Sequence, residues 1–160
     1  MSRISVVTGG TSGIGRGIVE KILSCSQEED LIFVNYANNE KRAAEFVQSL
    51  PKEHQGKIRL FKADMSSYDA MISFVHYIKE EADHVDWLIC NTGISTNAKY
   101  EDYTFEEWTK IVNTNLSVPT FLVKELRPVM RGGGSGLHIH RQADSDCRHC
   151  LFSTLCAESI

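Results

Sequence analysis

The chain has 160 residues, 42% of them apolar and 24% charged, with a net charge of −4. That length suits one domain with a real core, and the mild negative charge without a basic block speaks against a nucleic-acid or anionic-membrane surface. No apolar run is long enough to span a bilayer, and Met1-Ser2-Arg3 leads straight into an apolar strand with no leader pattern, so a cytoplasmic protein is expected. Five cysteines, an odd number, fit a reducing compartment. Of these, Cys25 and Cys90 sit among apolar neighbours and read as small buried side chains.

In chain order, residues 4–7 form a short apolar strand ending at Thr8-Gly9-Gly10. Residues 15–24 follow with Ile18, Ile22 and Leu23 at helical spacing. A second strand is expected over 31–34, and a helix over 40–50 with Pro51 marking its stop. A third, weaker strand covers 58–61, a helix with an apolar stripe of Met71, Phe74, Val75 and Ile78 covers 67–82, and a fourth strand covers 85–90. Thr104 and Glu107 have the spacing of a capping box. They predict a helix from there to about residue 130, with Pro119 as an internal kink or break.

Strands and helices alternating at short intervals imply an α/β fold: a Rossmann-type, doubly wound parallel sheet of about five strands, incomplete at its C-terminal side, with its ligand beyond the strands' carboxyl ends. The alternation stops at the flexible run 131–136, where composition shifts abruptly. Residues 1–135 are therefore expected to be a dinucleotide-binding domain, and 136–160 an atypical tail.

The chemistry concentrates in Thr8, Gly9, Gly10, Thr11, Ser12, Gly13, Ile14 and Gly15. A pyrophosphate needs backbone close to it, and glycine allows that approach. The amides and positive end of the following helix then face the anion. An ordinary strand-to-helix turn is the bland alternative, which the apolar strand before and the amphipathic helix after disfavour.

The spacing T-G-x-x-x-G-I-G resembles the fingerprint of the short-chain dehydrogenase/reductase family, and three further motifs follow in order. Asp64, with Met65 beside it, resembles the family aspartate that hydrogen-bonds adenine. Asn91-Thr92-Gly93 resembles the family turn after the fourth strand, with Thr92 where alanine or asparagine is usual. Asn115 resembles the helical asparagine that anchors a proton-relay water. The resemblance covers residues 4 to about 135 and implies NAD(P)-dependent hydride transfer on a small carbonyl or alcohol substrate, with homo-oligomers typical of the family but not expected of this chain.

Each of the later motifs has a structural alternative. Asp64 could cap the next turn, Asn91 could be a turn former, and Asn115 is a poor helix former whose presence favours a purpose. At the end of the second strand, Asn35-Tyr36-Ala37-Asn38-Asn39 carries no acid before Glu40, so a 2′-phosphate would not be repelled. The segment resembles that of 3-oxoacyl-[acyl-carrier-protein] reductases, which implies NADP slightly ahead of NAD, with Asn35 among the cofactor residues. Arg16 could reach a phosphate, although a solvated helix side chain is its simpler role.

The family's catalytic serine and Tyr-x-x-x-Lys have no counterpart. Register on the fifth strand puts Arg141 at the serine position and Thr154 and Glu158 near the tyrosine and lysine positions. No tyrosine follows Tyr103 and no lysine follows Lys124. A truncation or frameshift after about residue 135 is the expected cause, and the 160-residue chain is expected to be inactive by itself. A non-catalytic dinucleotide-binding or regulatory module is the second reading. The tail's His138-x-His140 and Cys147-x-x-Cys150, with His149, offer nitrogen and sulfur ligands, but the histidine pair lacks the usual spacing and no metal site is expected.

Overall fold

The strand β1 (Ile4–Val7) is buried along its whole length, as a continuous apolar run in the middle of a parallel sheet should be. The computed structural model describes residues 2–139 and 152–155, with only the backbone for 132–139 and 152–155. Beside β1 lie β2 (Leu31–Tyr36) and β4 (Val85–Cys90), in parallel register with Val6 opposite both Phe33 and Leu88. The sheet order is β3-β2-β1-β4-β5-β6, with β3 at Ile58–Lys62, β5 at Met130–Ile139 and β6 at Phe152–Leu155.

The chain winds outward from β1 through β2 to β3 and then crosses to β4. Connections therefore leave β1 and β4 in opposite directions, and a crevice opens beyond their carboxyl ends. Both faces are covered. Val6, Phe33 and Leu88 pack against Phe74 of α4 (Tyr68–Glu81) and Leu122 of α6 (Val118–Leu126). Their sequence neighbours Val7, Ile32 and Val34 point to the other face, against Val19 of α1 (Gly13–Ser24) and Phe46 of α2 (Glu40–Ser49). Alternate residues of one apolar run thus feed two cores.

Helix α2 stops before Pro51 as expected, and a single separate turn, α3 (Lys52–Gln55), follows it. Other expectations are corrected. Cys25 is exposed: it caps the C-terminus of α1, where Sγ donates to the carbonyls of Lys21 and Ile22 at 3.4 and 3.3 Å. The glycine run 131–136 belongs to β5, whose register against β4 shifts between Val85 and Trp87. Glycines tolerate such a bulge. The strands β1–β5 pair in parallel as expected, and β6 adds an antiparallel edge against Gly136–Ile139 of β5. His140, Arg141, Cys147, His149, Cys150 and Glu158, invoked in the catalytic and zinc readings, lie outside the described residues.

Pro119 does not break the long helical segment. Thr104 and Glu107 form the expected capping box at the start of α5 (Phe105–Val112). A π-helical turn over Asn113–Ser117 then joins α5 to α6, with the Val118 N–H donating to the Asn113 carbonyl and Pro119 in the first turn of α6. A proline here has no N–H to give the carbonyl four residues back. The π turn absorbs that loss, and such turns cluster at functional sites.

Candidate dinucleotide site

Residues 8–15 make the turn from β1 into α1. Thr8 continues the ladder through its N–H to the Ile89 carbonyl at 3.0 Å. Gly9 and Gly13 have φ of +63° and +54°, where a side chain would be strained. Gly10 and Gly15 are needed for space. A Cβ on Gly10 would lie 2.7 Å from Val34 Cγ1, and one on Gly15 would lie 2.3 Å from the Gly9 carbonyl oxygen. Ser12 makes no side-chain cap on α1, and no acidic residue stands in its first turn. The positive end of α1 is therefore open to an anion. The exposed Ile14 side chain flanks it.

Asn91 fixes the turn from the β4 side. Its Nδ2 donates to the carbonyls of Thr8 and Gly9 at 3.0 and 3.2 Å. In return the Thr8 hydroxyl accepts from the N–H groups of Asn91 and Thr92, both at 3.0 Å. Gly93 continues the same turn, half-buried.

Asn35 is corrected in role. It is buried beneath the turn, where Oδ1 accepts from the Gly9 N–H at 3.3 Å and Nδ2 donates to the Ala63 carbonyl at 2.8 Å. It holds the turn to β2 and β3 and does not face the cleft. Sequence alone could have found it, because an amide at a buried strand position needs partners on both sides. Met65 is buried likewise, with its side chain in the core, so only its backbone can meet a ligand.

Asp64 is exposed, and its Oδ1 accepts from the Ser66 N–H at 2.9 Å. That backbone hydrogen bond holds the carboxyl below its ordinary range. The turn-capping alternative is thus realised, and the carboxylate remains ionised with a second oxygen to accept an amino group. Because its folded pKa is depressed, Asp64 contributes stability above its unfolded pKa and loses it as pH falls through the folded value. The group is mostly exposed, so Asp64→Asn is expected to cost less than about 1 kcal/mol at pH 7. Thermal melts of the two proteins should converge at acid pH; a gap that widens there would contradict this.

Asn115, in the π turn, clamps the loop after β4. Its Oδ1 accepts from the Ile94 N–H at 2.9 Å and its Nδ2 donates to the Ile94 carbonyl at 2.8 Å. Pro119, four residues on, deprives the Asn115 carbonyl of its α-helical partner. Asn115→Ala is expected to cost about 1–3 kcal/mol by stranding both Ile94 groups. Urea unfolding checks it, and a midpoint equal to wild type would refute the clamp.

At the end of β2 no carboxylate faces the cleft from residues 35–39. Asn39 caps α2 by accepting from the Arg42 N–H, and Glu40 pairs with Lys62 at 3.4 Å. Arg16 lies over the Phe46 ring and its Nε bonds Glu20 at 2.7 Å, confirming the simple role. Cys90 is buried below the turn, and burial pushes its thiol up to about 12, so it stays protonated. Together these groups can seat a dinucleotide: open amides for its diphosphate, a carboxylate for an amino group, and close backbone at Gly9 and Gly15.

The short chain dehydrogenase family matches residues 3–140. Acetoacetyl-CoA reductase of Rhizobium meliloti (strain 1021) is 32% identical over 136 residues, covering 85% of this chain and 53% of that protein. The enzyme of the same name from Shinella zoogloeoides is 32% identical over 132 residues, covering 82% and 50%. Among solved structures, a blue fluorescent protein from a metagenomic library in complex with NADPH superposes with a TM-score of 0.75 at 26% identity, covering 86% of this chain and 55% of the other. A Brucella melitensis short-chain dehydrogenase/reductase, at 24% identity and a TM-score of 0.73, covers 85% and 55% and shows the fold. The chain belongs to the short chain dehydrogenase family of oxidoreductases. It spans about half the length of the relatives it matches. Among the described residues no helix is long and apolar enough to cross a membrane.

Proposed function

We propose that the chain binds a nicotinamide dinucleotide, NADP ahead of NAD, with its diphosphate on residues 8–15. The observation that carries this is the glycine turn itself: two positive-φ glycines, a third too close to Gly9 for any side chain, and an uncapped helix start without an acid. Asp64 would accept from the adenine amino group, and the turn 91–93 would pack beside the cofactor. The lack of a carboxylate at the end of β2 supports NADP, and the NADPH complex of a similar structure is in keeping with it.

The dinucleotide supplies the hydride when bound, and this chain supplies its seat. The parent activity is carbonyl/alcohol hydride transfer, with 3-oxoacyl thioesters favoured as substrates by the acetoacetyl-CoA reductases among the relatives. The 160 residues contain no Tyr-x-x-x-Lys, and a proton must accompany the hydride. Asn115 would anchor the water of that relay without its terminal acid. The chain alone therefore holds a cofactor without turnover, which also gives the second reading, a non-catalytic or regulatory binding module, its support. Exposed Phe105, Trp108 and Leu116 along the α5–π turn face favour self-association.

Fluorescence titration with NADPH and NADH, followed by an acetoacetyl-thioester reduction assay, tests the proposal. Saturable binding, tighter for NADPH and without reduction, is the expected outcome. Robust reduction by the purified chain would overturn the claim of inactivity, and tighter NADH binding would overturn the preference.

A further inference from the structure

We infer that the hydroxyls of Thr8, Thr92 and Thr114 form an internal site for one water, which ties the glycine turn to the π turn. The starting observation is Thr92 Oγ1, fully buried with no hydrogen-bond partner. The atom stands where the family pattern has alanine or asparagine, so the pattern does not account for its hydroxyl. Buried polar groups of this kind are satisfied by ordered water far more often than they are left alone.

The surroundings supply the rest of the site. Thr92 lines a cavity of about 10 Å³ together with Thr8 and Thr114, walled by Met65, Val118 and Leu122. That volume is at the lower limit for a single water. Thr8 and Thr114 are each 3% exposed. The Thr8 hydroxyl oxygen accepts two backbone N–H groups, which leaves its own proton to give. The Thr114 hydroxyl donates to the Lys110 carbonyl at 2.8 Å, which leaves its oxygen to accept. A water therefore accepts from Thr8, donates to Thr114, and completes Thr92, three partners in all. The site links the first residue of the cofactor turn to the residue beside Asn115. It goes beyond the dinucleotide reading and holds with or without bound cofactor, so its failure would leave that reading intact.

A high-resolution crystal structure of the full 160-residue chain tests it. A water peak within hydrogen-bond distance of Thr92 Oγ1 and of Thr8 or Thr114 is expected, and a cavity without density would overturn the inference. Thr92→Val gives an independent check in solution, since it keeps the shape and removes the hydroxyl. With the water present, the melting temperature should fall by about 2–4 °C as the water loses a partner. A rise, as follows from replacing a dry unpaired hydroxyl with a methyl, would overturn the inference too.

Discussion

Gly15→Ala is expected to weaken dinucleotide binding by more than about 100-fold and to destabilise the fold by about 3 kcal/mol or more. Helix propensity argues the other way, since alanine inside a helix gains about 1 kcal/mol over glycine. Sterics decide the sign. The new Cβ would sit 2.3 Å from the Gly9 carbonyl oxygen and 2.4 Å from Asn91 Nδ2, and the first of these is backbone that no rotamer change can move. The turn must shift, and with it the amides that face the diphosphate. Gly17 is the internal control: it lies in the same helix, and a Cβ there meets nothing within 4 Å. Gly17→Ala should bind as wild type does and gain about 0.5–1 kcal/mol. Calorimetric NADPH titrations and urea unfolding of the pair check both statements; equal behaviour of the two variants would contradict them.

Asn91→Asp is the second large effect. The side chains are nearly the same shape, so packing is preserved and hydrogen-bond polarity alone changes. Nδ2 now donates to the Thr8 and Gly9 carbonyls. A carboxylate oxygen in its place donates nothing and sets a negative charge against two carbonyl oxygens. Two part-buried acceptors lose their partner, each at about 1–3 kcal/mol, and repulsion adds to this. A loss of about 3–5 kcal/mol is expected, enough to unfold much of a marginally stable domain. Circular dichroism melts at neutral pH read it directly, and a melting temperature within 2–3 °C of wild type, about the resolution of a sub-kcal effect, would show that Asn91 is not the clasp.

The sheet and the turn were readable because each leaves a signal of its own. Strands buried on both faces are unbroken apolar runs, as Ile4–Val7 is, and glycines between such a strand and an amphipathic helix have few other uses. Asp64, Asn91 and Asn115 were placed by motif, and the structure then gave each a stated hydrogen-bond partner. What the sequence hid depends on pairing across the chain. A buried strand amide such as Asn35 signals in sequence that it needs partners, but only the fold names them as the Gly9 N–H and the Ala63 carbonyl. Cys25 follows Ile22 and Leu23 closely in sequence, yet it is exposed at the end of α1, between Ser24 and Ser26. The glycine run 131–136 has the composition of a linker, yet it lies within β5, where Met130 and Ser135–Gly136 pair with β4 on either side of a register shift. The antiparallel β6 carries no periodicity that separates it from a loop, because four residues are too few to show one.

The central claim is that residues 8–15 seat the diphosphate of a nicotinamide dinucleotide. Amide chemical-shift mapping of the isotopically labelled chain during an NADPH titration tests it most directly. The expected result is saturable shifts concentrated at residues 9–16 and at Ser66, whose N–H is bonded to Asp64, with no such response in Gly15→Ala. Saturation with shifts confined elsewhere, or no response to NADPH or NADH at millimolar concentration, would contradict it.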